Sequence, residues 1–135
     1  MPITGTMLTP DAQIARALQG VNTGSDTSCV LWAIPTGQDF LDADYSQIGT
    51  YLQCAGIADR LTIEMRVDDG VSARHYVLGR LATPGEMGSA EVVENEVGDV
   101  MVLPNEVFNV EQATRIFQYY RVHDTVPADC ERRPL

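Results

Sequence analysis

The clearest pattern in the chain is the strict alternation of "RLTIEMRV", Arg60 to Val67. Leu61, Ile63, Met65 and Val67 fall on one side of an extended segment, with Thr62, Glu64 and Arg66 on the other. A period of two is the signature of a half-buried strand. "DDGVS" follows as turn chemistry, and "ARHYVLGRL" predicts the return strand of an antiparallel hairpin. A second hairpin is predicted where "AEVVENEV" and "VMVLP" flank Gly98-Asp99. In that hairpin Ala90, Val92, Glu94 and Glu96 would share one face, and Glu91, Val93, Asn95 and Val97 the other.

Helical periodicity brackets these strands. "TPDAQIARALQG" has Thr9 to cap, Pro10 for the first helical position, Asp11 at the positive end of the dipole and Gly20 to stop it. "CVLWAI", Cys29 to Ile34, reads as a buried strand with Trp32 in the core. In "DADYSQIGTYLQCAG", Leu41, Tyr45, Ile48, Leu52 and Ala55 recur at four- and three-residue spacings, which predicts a helix capped by Asp42 or Asp44 and ended by Gly56. The last helix starts at Asn109, with Gln112 placed for a capping box and Val110, Ala113, Ile116, Phe117 and Tyr120 facing inward. "CERRPL" then predicts an edge strand. The expected architecture is a single α+β domain over residues 1–135, an antiparallel sheet packed by two or three helices.

Charge changes this picture more than composition does. The chain carries 19 acidic residues against 9 basic ones, all arginine, for a net charge of −10. That balance disfavours direct binding to nucleic acid or to an anionic membrane, and it permits a basic protein partner. The acids are also unevenly placed. Glu86, Glu91, Glu94, Glu96, Asp99, Glu106 and Glu111 lie between Arg80 and Arg115 with no Lys, Arg or His among them. Such a run is either a solvated face or a surface for a cationic partner.

Candidate chemistry is sparse. Cys29, Cys54 and Cys130 are widely spaced and form no metal-type motif, which fits reduced thiols and a cytoplasmic protein. The start of the chain shows no basic stretch followed by an apolar one, and no apolar run reaches the length of a membrane span. His75 and His123 lack ligand or catalytic partners at the expected spacings. Asp68-Asp69-Gly70 reads first as a turn, and its carboxylates are also candidates for partner contact. Tyr119 falls off the inward stripe of the last helix and is a candidate interface anchor.

The stretches "RHYVLGRLATPGEMG" and "VMVLPNEVFNVEQATRIFQYYRVHDTVPADCERRPL" resemble the DddI-type immunity proteins, which protect bacteria from their own deaminase toxins. The resemblance runs from about residue 60 to the end: an aromatic-bearing strand, a Pro-Gly loop, an acidic stretch, a short strand, the helix "VEQATRIFQYY" and a closing strand. Residues before that match in architecture only, a helix followed by a strand with Trp32. What it implies is a cytoplasmic, non-enzymatic protein without cofactor or metal. Such a protein would bind one toxin domain in a 1:1 complex, most often a basic zinc-dependent cytosine deaminase, and occlude its active site. Glu91, Glu94, Glu96 and Asp99 would then face the toxin, with Asp68, Asp69 and Tyr119 as further contacts. A nuclease toxin would reward the same acidic surface. An adaptor role, or an enzyme built on His75 or His123, are the readings that remain if no toxin binds.

Overall fold

The structure is a computed structural model and describes residues 8–33, 49–82, 88–94 and 98–135. Helix α1 (Pro10–Asn22) leads into β1 (Ser28–Leu31), β2 (Tyr51–Ile57), β3 (Arg60–Asp68) and β4 (Ala73–Arg80). A short pair follows, β5 (Glu91–Val93) and β6 (Val100–Val102), then a single 3-10 turn at Pro104–Glu106. Helix α2 (Val110–His123) and β7 (Cys130–Pro134) complete the α+β fold. The main sheet is antiparallel throughout, in the order β1-β2-β3-β4-β7.

The alternation in β3 builds two opposite surfaces. Leu61, Ile63 and Met65 are buried against Ile14 and Leu18 of α1 and Ile116 and Phe117 of α2, so both helices cover one face. The register pairs Glu64 with Val77, which places Val77 on the opposite face. There it packs with Val93 and Val102 as a second, small core under the β5–β6 hairpin. The sheet is thus sandwiched unequally, by helices on one side and by a two-stranded flap on part of the other.

The helix ends follow their capping residues. Thr9 Oγ1 accepts from the Ala12 N–H at 3.2 Å, and Pro10 opens α1. Asn109 Oδ1 accepts from the Gln112 N–H at 2.8 Å while Gln112 Oε1 accepts from the Asn109 N–H at 2.9 Å, a complete capping box. Gly20 does not end α1, which continues to Asn22. The Asp26 carboxylate folds back over Gly20, and an added Cβ there would meet only that flexible side chain.

The predicted helix over Asp42 to Gly56 is corrected where the structure describes it. Residues 51–57 form β2, paired on both sides. Leu52 and Cys54 face the helices, whereas Ala55, placed in the helical stripe by its spacing, lies on the other face opposite Thr62. The 42–48 portion, including Asp42 and Asp44, lies outside the described residues. β1 ends at Leu31 rather than continuing through Trp32, which is half-buried.

The 3-10 turn packs against β4 on the face that carries Val77. Phe108 takes up the ladder at Leu61, with N···O distances of 2.8 and 2.9 Å. Arg80 donates from Nε to the Val107 carbonyl at 3.2 Å and from Nη2 to the Pro104 carbonyl at 3.1 Å. Gly79 makes room for the turn, since a Cβ there would stand 2.9 Å from Asn105 Nδ2.

Candidate functional site

The acidic run does not form one continuous surface. Its members separate into three environments. Glu106 is 3% exposed and is held by the chain itself. Its Oε1 accepts from the Leu103 N–H at 2.8 Å and from Arg133 Nη2 at 2.9 Å, and its Oε2 accepts from Arg133 Nε at 2.8 Å. Glu91 forms a surface ion pair with Arg60 at 3.0 Å. Glu94 and Asp99 are exposed and make no ion pair with another described residue. Glu111 is exposed in the first turn of α2, and Glu86 and Glu96 lie outside the described residues.

β5 stops at Val93, so the four-residue face expected from Ala90 to Glu96 does not form as an unbroken strand. Val93 points into the small core, and Val92 and Met101, opposite one another, form an exposed apolar pair on the outer side of the hairpin. Val93 pairs with Val100, so Gly98-Asp99 is not itself the turn but the entry to β6; Gly98 has φ +123, a conformation that glycine adopts without strain, and Asp99 beside it is exposed.

Asp99 is the shared wall of two neighbouring grooves. One, of about 190 Å³, has Ala55, Thr62 and Glu64 of β2 and β3 as its floor. The other, of about 440 Å³, is bounded by Asp26, Glu94 and Asp99 around the side chain of Ile57, which is 49% exposed. Asp26 comes from the loop after α1, Ile57 from the end of β2, and Glu94 and Asp99 from the hairpin. The site therefore exists only because the flap lies over β3 and because β2 returns beside α1. Acidic residues beside an exposed apolar side chain, with no basic residue among the described lining residues, suit the guanidinium or ammonium end and aliphatic stem of an Arg or Lys.

The other predicted contacts lie elsewhere. Asp68 and Asp69 sit at the far end of β3, about 20 Å along the strand from Thr62. Their carboxylates serve the turn: Asp68 Oδ1 accepts from the Gly70 N–H at 2.9 Å, and Asp69 Oδ1 from those of Val71 and Ser72 at 2.9 and 2.8 Å. Those bonds, from Ser72 first and then Val71, hold the Asp69 carboxyl below the usual carboxylate range. A carboxyl lowered on folding stabilises above its unfolded pKa, and that contribution fades as pH falls through the folded value. Asp69 is accordingly expected to titrate below an ordinary aspartate in an acid NMR titration, and Asp69→Asn to flatten the acid limb of the stability profile. An ordinary aspartate value would mean the turn does not hold its carboxylate in solution.

Tyr119 is exposed as expected, but on α2, on the helical side of the sheet, with its ring 4.1 Å from that of His123. His75 is exposed in β4 and His123 at the end of α2, and neither lines the acidic grooves. Among the described residues no three His, Cys, Asp or Glu side chains are grouped to hold a metal ion. Nor is any described helix long and apolar enough to cross a membrane. Asp26, Ile57 and Glu64 carried no local signal for a site, because only the topology brings them to Asp99. Compared with known proteins, the chain finds no match to a family model, to a curated protein or to a solved structure.

Proposed function

We propose that this protein is an immunity protein that binds and inhibits a cognate bacterial toxin, a nucleic-acid cytosine deaminase, in a 1:1 complex in the cytoplasm. The observation that carries the reading is the groove where the exposed acids Glu94 and Asp99 stand beside Ile57, in a chain of net charge −10. A deaminase acting on a polynucleotide must admit a flipped or single-stranded base and the phosphates flanking it. Its groove is accordingly basic. Acidic residues beside an exposed apolar side chain meet such a groove where phosphates would lie, and the exposed Val92–Met101 pair offers adjoining apolar contact. The resemblance of residues 60–135 to the DddI-type proteins supplies the toxin class.

The test is co-expression of the tagged protein with its genomic neighbour, followed by native mass spectrometry at low and moderate salt. The expected result is a 1:1 complex with a basic, zinc-bearing domain whose deaminase activity is abolished in the complex. A zinc-free nuclease in that position would move the toxin chemistry and keep the inhibitory role. Absence of any stable partner would overturn the reading.

A further inference from the structure

Cys29 on β1 and Cys54 on β2 are direct register partners in an antiparallel ladder. Opposed residues in such a ladder point to the same face, with Cα atoms about 4.5 or 5.5 Å apart depending on the pairing type. Both separations fall within the roughly 4.4–6.8 Å that a disulfide spans. Both side chains belong to the helical core, Cys29 5% exposed and Cys54 fully buried, beside the next cross-strand pair, Leu31 and Leu52. No disulfide joins them in the structure. Cys130 lies on β7, three strands from β2 and so about 14 Å away across the sheet, too far to compete.

We infer that Cys29 and Cys54 are a modification site for hydroperoxides, which convert the pair to a cross-strand disulfide that fastens β1 to the sheet. The sulfur of Cys29, the more accessible of the two, attacks a peroxide oxygen. The O–O bond breaks, leaving a sulfenic acid on Cys29 and releasing water. The sulfur of Cys54 then attacks the Cys29 sulfur; the S–S bond forms, the S–O bond breaks, and the leaving hydroxide takes the Cys54 proton as a second water. Two thiols have given up two electrons and two protons, and one hydrogen peroxide has become two waters.

Burial pushes the Cys29 thiol up to about 11, and burial pushes that of Cys54 up as well, so few thiolates are present while the sheet is closed. Reaction is consequently slow and proceeds through local opening of β1, four residues long and outermost among the described strands of the sheet. Once made, the bond closes residues 29 to 54 into a ring and restricts the unfolded chain.

The experiment exposes the full chain to millimolar hydrogen peroxide, alkylates remaining thiols in denaturant and maps the peptides. The expected product is a Cys29–Cys54 cross-linked peptide that excludes Cys130. It should be reversed by reductant and accompanied by a rise in Tm on the order of 10 °C. Cys54→Ala should abolish the cross-link and leave Cys29 at the sulfenic or sulfinic level. Recovery of both cysteines as alkylated thiols after prolonged exposure, sulfinic acids without a cross-link, or a bridge through Cys130 would each overturn the inference. The wild-type map decides it even if the alanine variant fails to fold.

Discussion

Arg133→Met is expected to lower the stability of the protein by about 3 kcal/mol, seen as a lower urea midpoint with an unchanged slope. Methionine keeps most of the aliphatic stem and removes the guanidinium. The Glu106 side chain, 4% exposed, then loses both bonds from Arg133 and retains only the one from the Leu103 N–H. A buried carboxylate stripped of its cation costs about 3–5 kcal/mol, and the lower end applies because the Arg133 side chain is itself 39% exposed and partly screened. Adding Glu106→Gln should recover a large part of the loss, since the stranded charge is gone. A loss below about 1 kcal/mol would mean that water reaches Glu106 once the arginine is removed.

The pair also bears on the candidate site. Arg133 Nη2 reaches the Met101 carbonyl at 3.4 Å, and the 3-10 turn that holds Glu106 follows directly on β6. The ion pair therefore joins the edge strand β7 to the hairpin that presents Asp99. An acid that reads in the sequence as surface charge is part of what anchors the hairpin to the sheet.

The second large effect is kinetic. Glu94→Lys combined with Asp99→Lys should slow association with the proposed toxin partner tenfold or more at low salt, and the wild-type advantage should shrink as salt is raised. Both residues are exposed and lie outside the two hydrophobic clusters, so the fold should tolerate the change. The Asp68-Asp69 turn at the far end of β3 provides the contrast, and charge changes there should leave association nearly unaltered. Unchanged kinetics in the Glu94/Asp99 variant would remove the groove from the mechanism, and a large effect at the turn would move the interface to that end of the sheet.

The error over residues 51–57 has a physical cause. The turn joining β2 to β3 is formed by Ala58 and Asp59, both at positive φ, 54° and 61°. A two-residue hairpin turn of this kind is usually announced by Asn-Gly or Asp-Gly, and alanine pays to adopt it. Here it is held from outside. The Ala58 N–H donates to the Asn22 carbonyl at 2.9 Å, the Asp59 N–H to Asn22 Oδ1 at 2.7 Å, and Asp59 Oδ1 accepts from the Val110 N–H at 3.3 Å. The end of α1 and the start of α2 together fix a hairpin that its own residues do not encode. Without that turn signal, four- and three-residue apolar spacings read as a helix.

Local rules determined a good part of this protein from the sequence alone. The period-two pattern of Arg60–Val67, the Asp-Gly turn after it, the Thr9 and Asn109 caps and the inward stripe of α2 all act within a few residues, and each appears in the structure in its expected place. The total charge was equally plain, since it needs only counting. The destination of each charge was not. Whether a carboxylate is buried on an arginine, paired at the surface or left facing a groove depends on which segments the sheet order brings beside it, and Glu106, Glu91 and Asp99 took three different fates within one acidic run. The groove joins Asp26, Ile57, Glu94 and Asp99 from three separate elements, and the thiol pair joins Cys29 to Cys54 through strand register. Contacts between residues far apart in the chain are set by packing and pairing of whole elements, so only the tertiary structure decided them.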